Sequence, residues 1–151
     1  MNKRNIAIAA LAAAISTGAM AQTPKPEDQI RLRKAAYDLM SYGFASIDAM
    51  NEGKKPYSRD EAVRSAELMV QMSTLPRLFF GEGTDKGETR AKPEIWTHRA
   101  DFDAKMDKMI SEVGKVAAAA RSGDPAALRS AADAAGDACK ACHDDYRQKR
   151  R

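Results

Sequence analysis

The chain has 151 residues, 44% of them hydrophobic and 30% charged, with a formal net charge of +4. Two cysteines are too few for a disulfide-stapled scaffold, and a zinc site of about four ligands would need both of them and both histidines, His98 and His143. The basic residues are not spread over a face with interleaved aromatics, and the one dense patch is Arg147 to Arg151, so a nucleic-acid partner is not expected.

In chain order, Lys3 and Arg4 precede an unbroken apolar run from Ile6 to Ile15, and Ala19-Met20-Ala21 fits a small-x-small cleavage site. Residues 1–21 therefore read as a secretory signal peptide, and residues 22–151 as one domain. The apolar run is too short to span a bilayer and no second one follows, so no membrane anchor is expected. Pro26-Glu27-Asp28 opens a helix, with proline in the first turn and acids at the positive end of the dipole. It runs to about Asn51, and Ile30, Arg33, Tyr37, Met40, Phe44 and Ile47 share one face. An arginine and a tyrosine on that apolar stripe are anomalous.

Ser58-Arg59-Asp60-Glu61 predicts a capping box at the start of a second helix, which turns Ala62, Ala66, Met69 and Met72 inward and stops near Leu75-Pro76. The stretch from Pro76 to Thr97 is glycine-rich and long for a bundle connection. Leu78, Phe79 and Phe80 are expected to pack, and Pro93-Glu94-Ile95-Trp96 to form one turn of helix. The third helix carries Phe102, Met106, Met109, Val113, Val116 and Ala120 at alternating steps of four and three, a bundle seam. Its methionines read as core filler. Ser122-Gly123 ends it, and Asp124-Pro125 caps the next. The fourth helix repeats the rhythm with Leu128, Ala132, Ala135, Cys139, Cys142 and Tyr146. The fold class is all-α, an antiparallel four-helix bundle with a cofactor site between helices.

The last segment supplies the cofactor. Cys139-Lys140-Ala141-Cys142-His143 is the C-x-x-C-H pattern of covalent haem c attachment. Two thiols three apart share a helix face and can add to the two vinyl groups of one porphyrin edge, and the next residue offers an imidazole to the iron. A redox dithiol would need a strand–helix context, and a disulfide across two residues is strained. Ala132, Ala135 and Gly136 leave volume for a flat group. Attachment of this kind belongs outside the cytoplasm, in keeping with the signal peptide and a periplasmic location.

These segments together resemble the cytochrome c′ family over nearly the whole of residues 22–151. The resemblance rests on Lys25-Pro26-Glu27-Asp28 with Arg33 and Leu39-Met40, on Leu75-Pro76, on Phe80-Gly81-Glu82-Gly83-Thr84 with Pro93-Glu94-Ile95-Trp96, and on Cys139 to Asp144 with Tyr146-Arg147. It implies one haem held by Cys139 and Cys142, His143 as the proximal ligand, and an iron left five-coordinate. It also implies binding of nitric oxide and carbon monoxide over oxygen, and a homodimer through the first two helices. Arg33 matches an arginine near a haem propionate, and Arg147 one beside the proximal histidine. Tyr37 stands where several relatives carry an aliphatic residue over the iron, and Trp96 matches a structural position. Arg77 departs from a tryptophan in relatives, and His98 matches no ligand. The leading expectation is a five-coordinate haem protein that binds nitric oxide and carbon monoxide, transfers electrons to a redox partner protein, or does both. The competing expectation is a six-coordinate electron-transfer cytochrome of the same bundle with Met40 as distal ligand. A peroxidase would need a distal acid–base pair, and neither histidine is placed for one, so the chain does not read as an enzyme.

Overall fold

The computed structural model describes residues 23–149; the expected signal peptide and the last two arginines of the tail lie outside them. Four long helices dominate: α1 (Pro26–Asn51), α2 (Arg59–Ser73), α4 (Arg99–Ser122) and α5 (Pro125–Tyr146). A 3-10 turn (Pro76–Phe79) and a one-turn helix, α3 (Glu94–Thr97), punctuate the connection between α2 and α4. Among the described residues the only β pairing is an isolated bridge between Ala91 and Arg147. No described helix is long and apolar enough to cross a membrane.

The helix ends follow local chemistry. Asp124 accepts from the Ala126 N–H at 2.9 Å and Pro125 fills the first helical position. Gly123 closes α4 at φ 78°, a left-handed conformation that costs glycine nothing. Ser58 accepts from the Glu61 N–H at 3.4 Å, so half of the capping box forms. The other half does not: the Glu61 carboxylate accepts from Lys55 at 2.5 Å and from Ser46 at 3.0 Å instead of reaching back to Ser58. A charge-assisted bond to an ammonium group outcompetes one to a neutral amide.

The helices form a ring in which α1 packs on α2, α2 on α4, α4 on α5 and α5 on α1. All six expected seam positions of α4 are buried. Gly43 lets α1 and α2 approach closely, since a Cβ there would stand 2.7 Å from the Ser65 carbonyl oxygen. The α1–α5 side of the ring is the loosest, and the main cavity opens there. Ala135 and Gly136 border it as expected, whereas Ala132 packs into the core. In the connection Phe80 is buried, Phe79 half-buried, and Leu78 exposed, contrary to expectation. The 3-10 turn aims Leu78 outward while Pro76 and Phe80 face the core.

Candidate functional site

The cavity measures about 1050 Å³, a volume suited to a porphyrin-sized ligand. Cys139, Cys142 and His143 line it from α5, and Tyr37 and Met40 from α1. The attachment pattern lies inside a continuous helix that runs on to Tyr146. Both sulfurs belong to free thiols that are half-buried on the wall. Burial keeps them protonated: it raises the Cys139 thiol and, with the neighbouring Cys139, lifts Cys142 to about 11. His143, one residue further round the helix, is exposed at the rim. Desolvation of its ring, and then the charge of Arg90, lower its pKa, which favours the neutral imidazole that a metal requires.

Arg147 follows one turn later. Its Nη1 stands 3.5 Å from both ring nitrogens of His143, so the guanidinium lies against the imidazole without committing to one nitrogen. A ring nitrogen thus stays available for iron, with a cation beside it. Tyr146 anchors the end of α5: it is buried edge-on to Phe102 (5.4 Å) and donates its hydroxyl to Asp101 at 2.5 Å. Its pKa is raised to about 12, chiefly by desolvation and then by Asp101.

On the opposite wall Tyr37 donates its O–H to Met106 Sδ at 3.5 Å. Burial, then the nearby thiols, push its pKa up, so it stays a neutral phenol. Met40 is buried in the core cluster while also bordering the cavity. Arg33 lines the cavity too, but most of its donors are already used. Nη1 donates to Phe79 O (3.1 Å) and Thr84 Oγ1 (2.9 Å), and Nη2 donates to Thr84 O (2.7 Å) and Thr89 Oγ1 (2.7 Å). The guanidinium carbon also sits 4.5 Å from the centre of the Phe80 ring. Only Nε remains for another acceptor. Arg33 is 3% exposed, and burial lowers its pKa.

Sequence reasoning missed Thr84 and Thr89, the acceptors that make this burial tolerable. It also missed Gln29, which donates to Pro24 O (2.8 Å) and accepts from Gly81 N–H (3.2 Å). The available signal was the arginine itself: a cation on an apolar stripe needs acceptors, but its place in the chain does not say which residues supply them. Trp96 donates to Gly81 O at 3.2 Å, a structural role. Arg77 pins the 3-10 turn to α4 through Asp107 (2.6 Å) and Asp103 O (3.2 Å). His98 is exposed at the start of α4 and absent from the cavity wall.

Two cavity-facing thiols, an adjacent imidazole and a helical ring open on one side define a helical-bundle protein with a c-type haem site. Residues 28–147 match the family described as Cytochrome C'. The chain is 40% identical over 129 residues to the cytochrome c′ of Rubrivivax gelatinosus, covering 85% of this chain and all of that one. It is 38% identical, with the same coverage, to the cytochrome c′ of Alcaligenes xylosoxydans xylosoxydans. The crystal structure of the Rubrivivax gelatinosus protein superimposes with a TM-score of 0.81 at 40% identity, covering 84% of this chain and 100% of that chain. A nitric oxide complex of a leucine-to-alanine mutant of cytochrome c prime from Alcaligenes xylosoxidans superimposes with a TM-score of 0.80 at 37% identity, covering 85% and 100%. The chain belongs to the cytochrome c′ family, and haem c is its cofactor.

Proposed function

We propose that this chain is a periplasmic cytochrome c′ whose iron is held from one side by His143, which binds nitric oxide or carbon monoxide and passes electrons to a partner. The observation that carries this reading is the composition of the cavity wall. It holds two thiols and one imidazole on α5, and no second imidazole among the described residues. Cys139 and Cys142 would take the porphyrin edge, and His143 the iron. When bound, the haem supplies a redox-active iron with a free coordination position.

The protein's own residues set what reaches that position. Tyr37, Met40 and Phe44 crowd the α1 side. The Tyr37 hydroxyl is engaged with Met106, so it offers little to a bound diatomic, and Ser41, the other hydroxyl of α1 on the wall, is exposed. Oxygen depends on a hydrogen-bond donor for stabilisation more than nitric oxide does, so this wall favours nitric oxide. Arg147 beside His143 and Arg33 beneath the connection place positive charge near the iron and a propionate, which tunes the potential. Leu39 and Tyr42 on α1 and Val70 on α2 are exposed apolar side chains. They supply the surface for a homodimer through these two helices.

Optical and resonance Raman spectra of the purified ferrous protein, with and without nitric oxide, test the reading. A five-coordinate high-spin signature that changes on adding nitric oxide is expected. A six-coordinate low-spin signature before any ligand is added would overturn it. The rival reading has one observation in its favour, the presence of Met40 on the wall. It requires Met40→Leu to convert a low-spin protein to high spin; the proposed function requires no change of spin state.

A further inference from the structure

We infer that the cationic mouth beside His143 docks the acidic surface of an electron-exchanging protein; this rests on the haem reading above. A second cavity of about 600 Å³ shares His143 with the first. Arg90, Lys92, Arg147 and Lys149 line it, with Asp144 as the one carboxylate. A backbone device sets these cations side by side. Ala91 bridges to Arg147, Lys92 N–H donates to Tyr146 O at 3.0 Å, and Gln148 N–H donates to Arg90 O at 2.8 Å. The end of the connection is thereby stitched to the end of α5, and two basic segments meet at the rim.

The positive charge is not used up internally. Among the described residues none of the four cations forms a salt bridge. Asp144 is already paired with Lys140 at 2.5 Å, which adds another cation to the rim. Helix capping accounts for Lys92, which donates to the Asp144 carbonyl at 2.9 Å, and Arg147 leans on the imidazole. Neither use covers Arg90 or Lys149. Such unbalanced charge steers anionic surfaces to the mouth and orients them there. A macromolecular occupant is favoured over a small anion because none of the four cations is buried. Exposed pairs contribute about 1 kcal/mol or less each, so retention needs several engaged at once, as a broad acidic surface can do.

The test uses the reduced holoprotein and two one-electron oxidants of opposite charge. Ferricyanide takes one electron from the ferrous iron and becomes ferrocyanide; tris(phenanthroline)cobalt(III) takes one and becomes cobalt(II). Ferricyanide oxidation should slow about tenfold between low and high salt, and the cobalt reaction should not. Arg90→Glu and Lys149→Glu should each slow ferricyanide about threefold at low salt, after correction for each variant's measured potential. Arg64→Glu, on α2 and lining neither cavity, makes the same charge change and should have little effect. Poly-L-glutamate, as a model acidic surface, should bind in a salt-sensitive way and lose affinity in the two mouth variants. Equal effects of all three substitutions would overturn the proposal. So would ferricyanide steering without poly-glutamate binding, which would reduce the mouth to a small-anion attractor. If no pigment is attached to the chain the haem reading itself fails, a result visible before any rate is measured.

Discussion

The α4 seam and the connection between α2 and α4 are both held in place, but by opposite means. Along α4 each buried side chain is called for by its neighbours three and four residues away, and the helix would present that stripe wherever it packed. The connection has no period. It is held by Arg33, whose four hydrogen bonds reach residues 46 to 56 positions further along the chain. Phe102 joins the two regions, packing on Phe80 of the connection at 4.9 Å and on Tyr146 of α5 at 5.4 Å. The hold on one region is distributed over many weak contacts; in the other the largest share of the side-chain hydrogen bonds falls on one cation, with Gln29, Arg77 and Trp96 adding one or two each.

The sharpest way to break that contrast is Arg33→Leu. It strands three buried or half-buried acceptor residues, each unmet group costing about 1–3 kcal/mol, so a loss of about 3–5 kcal/mol is expected in urea unfolding. Hydrogen exchange should accelerate across residues 79–91 more than in α4. Arg33→Lys should recover only part, because an ammonium lacks the guanidinium fork. Val116→Ala, in the distributed region, should cost about 1–2 kcal/mol and leave exchange in the connection at its original ranking. If the two substitutions cost the same and loosen the same amides, the contrast fails.

A smaller effect concerns the wall between the regions. Met106→Leu removes the acceptor that engages Tyr37 and frees its hydroxyl toward a bound ligand. The C–O stretch of the carbon monoxide complex should fall in that variant and return to the original value when Tyr37→Phe is added. Tyr37→Phe alone should shift it little. An unchanged stretch in Met106→Leu would show that the hydroxyl was never restrained there.

The smallest effect is electrostatic. Glu112 on α4 accepts from Lys108 at 2.6 Å and from Lys115 at 2.9 Å, and these two ammonium groups hold its carboxyl below the usual range. A lowered folded-state pKa means that this stabilisation is present above the unfolded value of about 4.3 and disappears as pH falls through the folded one. Wild type should therefore lose stability more steeply below about pH 4 than Glu112→Gln, while the two run parallel near neutrality. Parallel acid limbs would contradict the assignment.

The same contrast explains what was legible in the sequence. The six α4 positions and the α5 stripe that carries both cysteines could be read directly, because helical spacing is local information. The C-x-x-C-H pattern added chemistry to one of those stripes and so located the cavity. Thr84 and Thr89 could not be read, since nothing near them in the chain announces Arg33. Leu78 was misread for a related reason: hydrophobicity suggests burial, but a 3-10 turn decides direction. The capping box was half right because Lys55, outside the motif, captured Glu61.

The central claim is that Cys139 and Cys142 carry a haem on the cavity wall of α5. The most direct check is acid–acetone extraction of the purified protein, followed by mass spectrometry of the peptide containing both cysteines. The account predicts that the pigment stays with the chain and that this peptide bears the mass of one haem, with neither cysteine open to alkylation. Pigment released into the solvent, or two free thiols on the denatured chain, would contradict it.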